Sequence, residues 1–275
     1  MNRAQIDGRE LEYEVRGAGE PVVLVHGSHI ADAFAPLLAE PALTDRYRLI
    51  LYHRRGFAGS THPDGPLSIA QQATDCRALM QHLGVPGAHV VGHSYGGAIA
   101  LQLALDAPQA VHSLALLEPA LLTVPSAPQF MAAMGPVLQM YEAGNKTGAV
   151  DSFLQAVVGP EYRSVLDRML PGAFAQAAAD ADTFFRIELP ALEQWSFTQA
   201  DAGRITQPVL AVLGADSHTL WPGWVEVHQL VQAWLPQAEA FVLKGTTHGL
   251  QIIDPKGMAA GLAGFLARHP LPDRP

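Results

Sequence analysis

The stretch with the clearest chemistry is Gly92-His93-Ser94-Tyr95-Gly96-Gly97, which fits the pattern G-x-S-x-G. A serine at the centre of this pattern suits nucleophilic catalysis. The flanking glycines let the chain turn sharply and leave the hydroxyl projecting. Such a turn strains the serine backbone, and larger neighbours would collide across it. An apolar run at 88–91 precedes the serine, and a strongly helical run at 97–106 follows it. Strand, turn and helix in that order are the context in which this serine is a nucleophile rather than part of a structural glycine turn. The helix also aims its free N–H groups at the site.

The elements that must hold this turn follow a regular alternation. Residues 2–16 read as two short strands around the turn signal Asp7-Gly8. Apolar runs at 21–25, 47–52, 88–91, 113–117, 208–213 and 239–243 read as strands, and the continuous run at 21–25 suits burial on both faces of a parallel sheet. Helices are predicted over 68–83, with Ser68 as N-cap and Gly84 beyond the end, and over 97–106 and 255–268. Strands alternating with helices argue for an α/β chain with a mostly parallel central sheet flanked by helices. Between 117 and 208 the alternation stops, and helices are expected near 127–143, 147–158, 160–169 and 173–195. The division is therefore a core of 1–120 and 206–275 with a helical lid of 121–205 at the carboxyl edge of the sheet, where ligands bind in open α/β sheets.

Over essentially its whole length the chain resembles an α/β-hydrolase. The matching features are the His26-Gly27 turn, the Arg55-Gly56 to Gly59-Ser60 loop, the serine turn at Ser94, the helical insertion and the late His248-Gly249. The resemblance implies a serine hydrolase of the esterase or lactonase kind. His248 follows the last strand and is the implied base for Ser94, and nucleophile first with histidine last is the family's order. The resemblance assigns the oxyanion hole to the backbone N–H groups of Ser28 and Tyr95. His26 reads as a structural residue of its turn. In the arginine loop, His53 replaces the family's usual leading aspartate. That loop reads as structural, with Arg55 holding it by hydrogen bonds rather than touching substrate.

The acid has two candidates. The family's usual position follows the strand at 208–213, but there the sequence reads Gly214-Ala215-Asp216-Ser217, with the aspartate one residue early. A one-residue offset on an extended segment turns a side chain to the opposite side. Glu118, at the tip of the strand after the nucleophile helix, is preferred, and Asp216 stands as the alternative. Some haloalkane dehalogenases, and the lactonases that open zearalenone, place their acid on this neighbouring strand. The acid's task is to hold the histidine tautomer and stabilise the imidazolium.

Composition narrows the rest. The chain has 275 residues, with 17 Lys+Arg against 26 Asp+Glu and 49% hydrophobic residues. The negative balance and the lack of basic runs disfavour nucleic-acid partners. One cysteine, Cys76, forms no internal disulfide, and no apolar stretch reaches membrane-spanning length. The expectation is a cytoplasmic enzyme, monomer or homodimer, with no cofactor, no metal and no membrane contact. Its substrate is expected to be an apolar small-molecule ester or lactone. His29, Met131, Met134, Phe185, Trp195, Trp221 and Trp224 are the candidate substrate contacts. Carbon–carbon bond hydrolases, perhydrolases and acyltransferases share the same constellation, and a hydrolase-fold ligand sensor is the reading from another class.

Overall fold

The computed structural model describes residues 1–272. The chain opens with the antiparallel pair β1 (Asn2–Ile6) and β2 (Arg9–Arg16). It continues through β3 (Glu20–Val25), β4 (Tyr47–Tyr52), α1 (Ile69–His82), β5 (Ala88–His93), α2 (Tyr95–Asp106) and β6 (Val111–Leu117). The helical stretch holds α3 (Ala127–Glu142), α4 (Lys146–Val158), α5 (Tyr162–Met169) and α6 (Ala173–Ala179). A π-helical turn, Thr183–Glu188, runs into α7 (Leu189–Gln194). The chain then returns through β7 (Val209–Gly214), α8 (Gly223–Trp234), β8 (Ala238–Leu243) and α9 (Pro255–Arg268).

The eight strands form one sheet in the order β1-β2-β4-β3-β5-β6-β7-β8. Along that order pairing is antiparallel from β1 to β4 and parallel from β4 to β8. The apolar runs of β3, β5 and β6 serve two faces at once. Val23, Val25, Val90 and Leu114 join one core, whereas Val22, Leu24, Val91 and Ala115 join the other. Side chains alternate across a strand, so burial on both faces demands an unbroken apolar run.

After β3 the chain crosses to β4 on one side and then returns to β5 on the other. The carboxyl ends of β3 and β5 therefore flank the point where the winding reverses, the place where a crevice opens in such sheets. The His26-Gly27 turn leaves β3 there, and Ser94 leaves β5.

Local chemistry explains the boundaries. Ser68 caps α1 in a full capping box with Gln71. The helix expected over 173–195 is broken into α6, the π turn and α7. Pro190 has no N–H to give the Arg186 carbonyl, and the turn before it is π-helical. Helix α8 has no counterpart in the sequence reading, although its buried Trp224, Val227, His228 and Val231 carry helical spacing. The last three residues of the expected core range, 273–275, lie outside the described ones. Among the described residues, no helix is long and apolar enough to cross a membrane.

Candidate active site

Ser94 sits at φ 51° and ψ −121°, between the end of β5 and the first residue of α2. This left-handed conformation is costly for a residue with a Cβ, and the surroundings hold it by hydrogen bonds. The Ser94 N–H donates to the Leu117 carbonyl at 3.0 Å, and its carbonyl accepts from Ala120 at 2.9 Å. The glycines are required by contact. A Cβ on Gly96 would lie 2.1 Å from the Val25 carbonyl oxygen, and one on Gly92 would lie 2.5 Å from the Gly96 oxygen.

His248 follows β8 and is buried. Its Nδ1 lies 2.7 Å from Glu118 Oε2. The other carboxylate oxygen accepts from the Gly214 N–H at 2.8 Å. Glu118 itself sits at φ 42°, in the left-handed region, which turns its side chain off the line of β6. The indole of Trp224 stacks on the imidazole at 3.8 Å between ring centroids, and His93 covers the ring at 4.6 Å. Burial pushes the His248 imidazolium well down, so the resting ring is neutral. Burial pushes the Glu118 carboxyl up, to about 7. The Ser217 hydroxyl makes no well-formed hydrogen bond, yet it lies close enough to Glu118 to favour the carboxylate, as does the Gly214 N–H.

The turn after β3 is held from one side by Arg54. The Arg54 backbone N–H donates to His26 Nε2 at 3.0 Å. His26 Nδ1 therefore carries the proton and donates to the Gly27 carbonyl at 2.7 Å. Burial and the neighbouring Arg54 charge both keep this ring neutral. A Cβ on Gly27 would come within 3.0 Å of the Ser94 Cβ.

Two apolar chambers meet at Ser28, Ser94 and His248. The first, about 50 Å³, is closed by Leu154, Val157, Tyr162, Leu166 and Ile252, among others. The second, about 40 Å³, includes Tyr95, Leu121, Phe130, Leu192, Trp221 and Trp224. Phe153 and Val157 of α4 border both.

The sequence profile described as "alpha/beta hydrolase fold" matches residues 20–168. The chain belongs to the α/β-hydrolase family. The chain is 30% identical over 274 residues to a dihydrolipoyllysine-residue acetyltransferase component of an acetoin cleaving system from Pseudomonas putida. That match covers 97% of this chain and 69% of the relative. It is 35% identical over 196 residues to a fluoroacetate dehalogenase from Burkholderia sp, covering 68% of this chain and 54% of that one. Across curated relatives of this kind the matched stretch spans from 31% to 69% of their own lengths. Among solved structures, the enol-lactonase from Burkholderia xenovorans LB400 superposes with a TM-score of 0.78 at 20% identity, covering 97% of this chain and all of that one (100%). A thermophilic esterase from Thermogutta terrifontis gives 0.79 at 21% identity, covering 98% and 100%. At these identities the likeness is one of fold.

Within this member of the family the expected site residues divide. Ser94, His248, Glu118, Ser28 and Tyr95 come together, and Trp221 and Trp224 line the second chamber. Asp216 is exposed, and its backbone carbonyl caps a turn by accepting from the Thr219 hydroxyl. The buried residue beside Glu118 is Ser217, as the one-residue offset implies. His29, Met131, Met134, Phe185 and Trp195 do not border the chambers. His29 sits between Phe153 and Phe184, at 4.9 and 4.5 Å, and burial keeps it neutral. Phe185 stacks on Tyr141, Met134 is buried in the packing of α3, and Met131 is half-buried beside it. Trp195 donates from its indole to Gln102 at 2.8 Å and borders a surface recess elsewhere. Helical spacing marks these side chains as apolar-facing without saying whether they face core or cavity. Arg55 holds Asp75 of α1, whereas Arg54 holds the turn below the serine. The roles of Arg54 and Gly214, and the stacking of Trp224 on His248, escape the sequence reading, because each depends on a partner far along the chain.

Proposed function

We propose that this protein is a serine hydrolase that cleaves a carboxylic ester or lactone of an apolar small molecule through a covalent acyl-enzyme. The observation that carries this reading is the 2.7 Å contact between His248 and Glu118, made by a histidine that borders the same two chambers as Ser94. In this reading Ser94 Oγ attacks the carbonyl carbon while His248 Nε2 takes its proton. Glu118 holds Nδ1 protonated and stabilises the imidazolium. The developing oxyanion receives N–H groups from Ser28 and Tyr95, and the N-terminus of α2 adds its positive end. Collapse breaks the bond to the leaving oxygen, which takes the proton from His248. Water then attacks the acyl-enzyme, giving its proton to His248, and the acid is released as the proton returns to Ser94.

Apolar chambers on both sides of the serine favour an ester with apolar groups on its acyl and alcohol sides. Helices between 121 and 205 supply much of both walls, which supports their reading as a lid. Displacement of a halide at carbon would call for a carboxylate nucleophile, and the serine supports acyl transfer instead.

The test is hydrolysis of a panel of p-nitrophenyl esters and aromatic lactones by wild type and Ser94→Ala, with fluorophosphonate labelling of both. Multiple turnover and labelling in wild type, both lost in Ser94→Ala, is the expected result. Turnover surviving in Ser94→Ala, or a folded wild type that neither turns over nor labels, would sink the reading.

A further inference from the structure

Arg54 is 1% exposed and holds the Gly27–Ser28 peptide by its carbonyl, and Ser28 borders both chambers. Its Nη2 donates to the Gly27 carbonyl at 2.9 Å and its Nε to the His26 carbonyl at 3.0 Å. The Gly27 C=O and the Ser28 N–H belong to one planar trans peptide and point in opposite directions. A guanidinium on that carbonyl therefore fixes the direction of the Ser28 N–H and polarises it. The same guanidinium packs on the Tyr95 ring at 5.1 Å, and Tyr95 supplies the other oxyanion N–H in the reading above. Its remaining Nη1 donates to Gln72 and to Glu188. Glu188 is fully buried and comes from the π-helical turn of the helical insertion.

We propose that Arg54 is a positioning residue for transition-state stabilisation, acting through the Gly27–Ser28 peptide, and that Glu188 sets Arg54 in place from the insertion. The inference rests on the serine-hydrolase reading. It adds that the helical insertion takes part in oxyanion binding as well as in walling the chambers. A buried ion pair costs more desolvation than two apolar groups in its place, which makes a purely stabilising role a poor account of it.

The experiment compares wild type, Arg54→Lys, the double variant Arg54→Met/Glu188→Met, and Ser94→Ala. Three quantities are read: kcat and KM on p-nitrophenyl butyrate, affinity for a trifluoromethyl ketone, and Tm. The ketone forms a hemiketal oxyanion on the serine and reports on the hole directly. Lysine keeps a charge opposite Glu188 but cannot span both carbonyls. The double variant removes both charges, so the fold keeps no unpaired buried ion. The expected result is a kcat lower by about 10- to 100-fold in Arg54→Lys and in the double variant, a modest share of what direct loss of one oxyanion donor costs. KM stays within about threefold, since ground-state binding is untouched. Ketone affinity falls in parallel with kcat/KM, and the Tm of the double variant is at or above that of wild type.

Wild-type kcat and ketone affinity in either folded variant overturns the proposal, as does a loss of activity that follows Tm and not ketone affinity. Turnover retained in Ser94→Ala instead overturns the serine reading itself, so the two failures are distinguishable.

Discussion

Glu118 and His248 stand 130 positions apart in the chain, and their side chains meet at 2.7 Å in the buried space beneath Trp224. The contact joins the tip of β6 to the loop after β8. It is braced from β7, because the second carboxylate oxygen accepts from Gly214. Three neighbouring strand ends thus fix one imidazole.

Replacing Glu118 should be costly, and replacing Asp216 should not. Glu118→Gln keeps the shape and the Gly214 hydrogen bond but offers an amide to Nδ1, which stabilises the wrong tautomer. Loss of the equivalent carboxylate in a serine protease costs about 10⁴-fold in kcat, and a fall of about 10³- to 10⁴-fold is expected here. The exposed Asp216→Asn should remain within about twofold. Steady-state kinetics on one ester settle the matter; the reverse ranking would move the acid to Asp216.

The pH profile should respond in a definite direction. The active form has Glu118 ionised and His248 neutral, and uptake of one proton by the pair abolishes the base. The acid limb of kcat/KM should therefore have unit slope in wild type. In Glu118→Gln the imidazolium loses its carboxylate while remaining buried, so the residual activity should titrate at lower pH. An acid limb left in place, or moved upward, would show that the two groups do not titrate together.

Stability should run against activity at the same position. Burial raises the folded-state pKa of Glu118 from 4.5 to about 7. A carboxyl with a raised folded-state pKa adds stability below its unfolded value. That contribution is lost as pH rises through the folded value, so between about 4.5 and 7 the ionised form becomes a growing burden. Glu118→Gln should melt a few degrees above wild type at pH 8, with the gap closing near pH 4.5. Differential scanning calorimetry at several pH values checks this; a lower Tm for the variant at pH 8 would refute it.

Gly96 and Gly27 should fail in different ways when replaced. Gly96→Ala drives a Cβ into a backbone carbonyl at 2.1 Å, which cannot move aside, and a loss of about 3 kcal/mol or more is expected. Gly27→Ala meets the Ser94 Cβ at 3.0 Å, a contact that a few tenths of an ångström relieve. It should fold and lose kcat. Denaturant melts beside kinetics separate the two, and equal Tm values for both variants would contradict the assignment.

Each chamber should govern one side of the scissile bond. Trp221→Phe enlarges the second chamber and Leu166→Ala the first, the latter at about 2–5 kcal/mol of stability. On a matrix of acyl and alcohol chain lengths, each variant should move the preference on one side by at least about threefold. Both variants acting on the same side would mean that the chambers do not divide the substrate in that way.

The alternation of apolar runs and helical spacing made the sheet and its flanking helices legible, because both signals are local. β4 and α9 fall where spacing places them, at Tyr47–Tyr52 and Pro255–Arg268. The serine turn was legible for the same reason, since G-x-S-x-G describes a backbone need met by adjacent residues. The lining of the chambers was not. Met134 and Trp221 carry the same apolar signal in the sequence, and only packing sends one to the core and the other to the cavity.

The sequence by itself determined the α/β alternation and the strained serine at position 94, both of which depend on neighbouring residues. Only the tertiary structure decided which carboxylate meets His248 and which of two adjacent arginines holds the turn at Gly27. Each of those contacts spans tens of residues or more and depends on how strand ends converge. A single backbone angle, φ 42° at Glu118, turns a strand-tip carboxylate toward the imidazole, and no local pattern in the chain encodes that encounter.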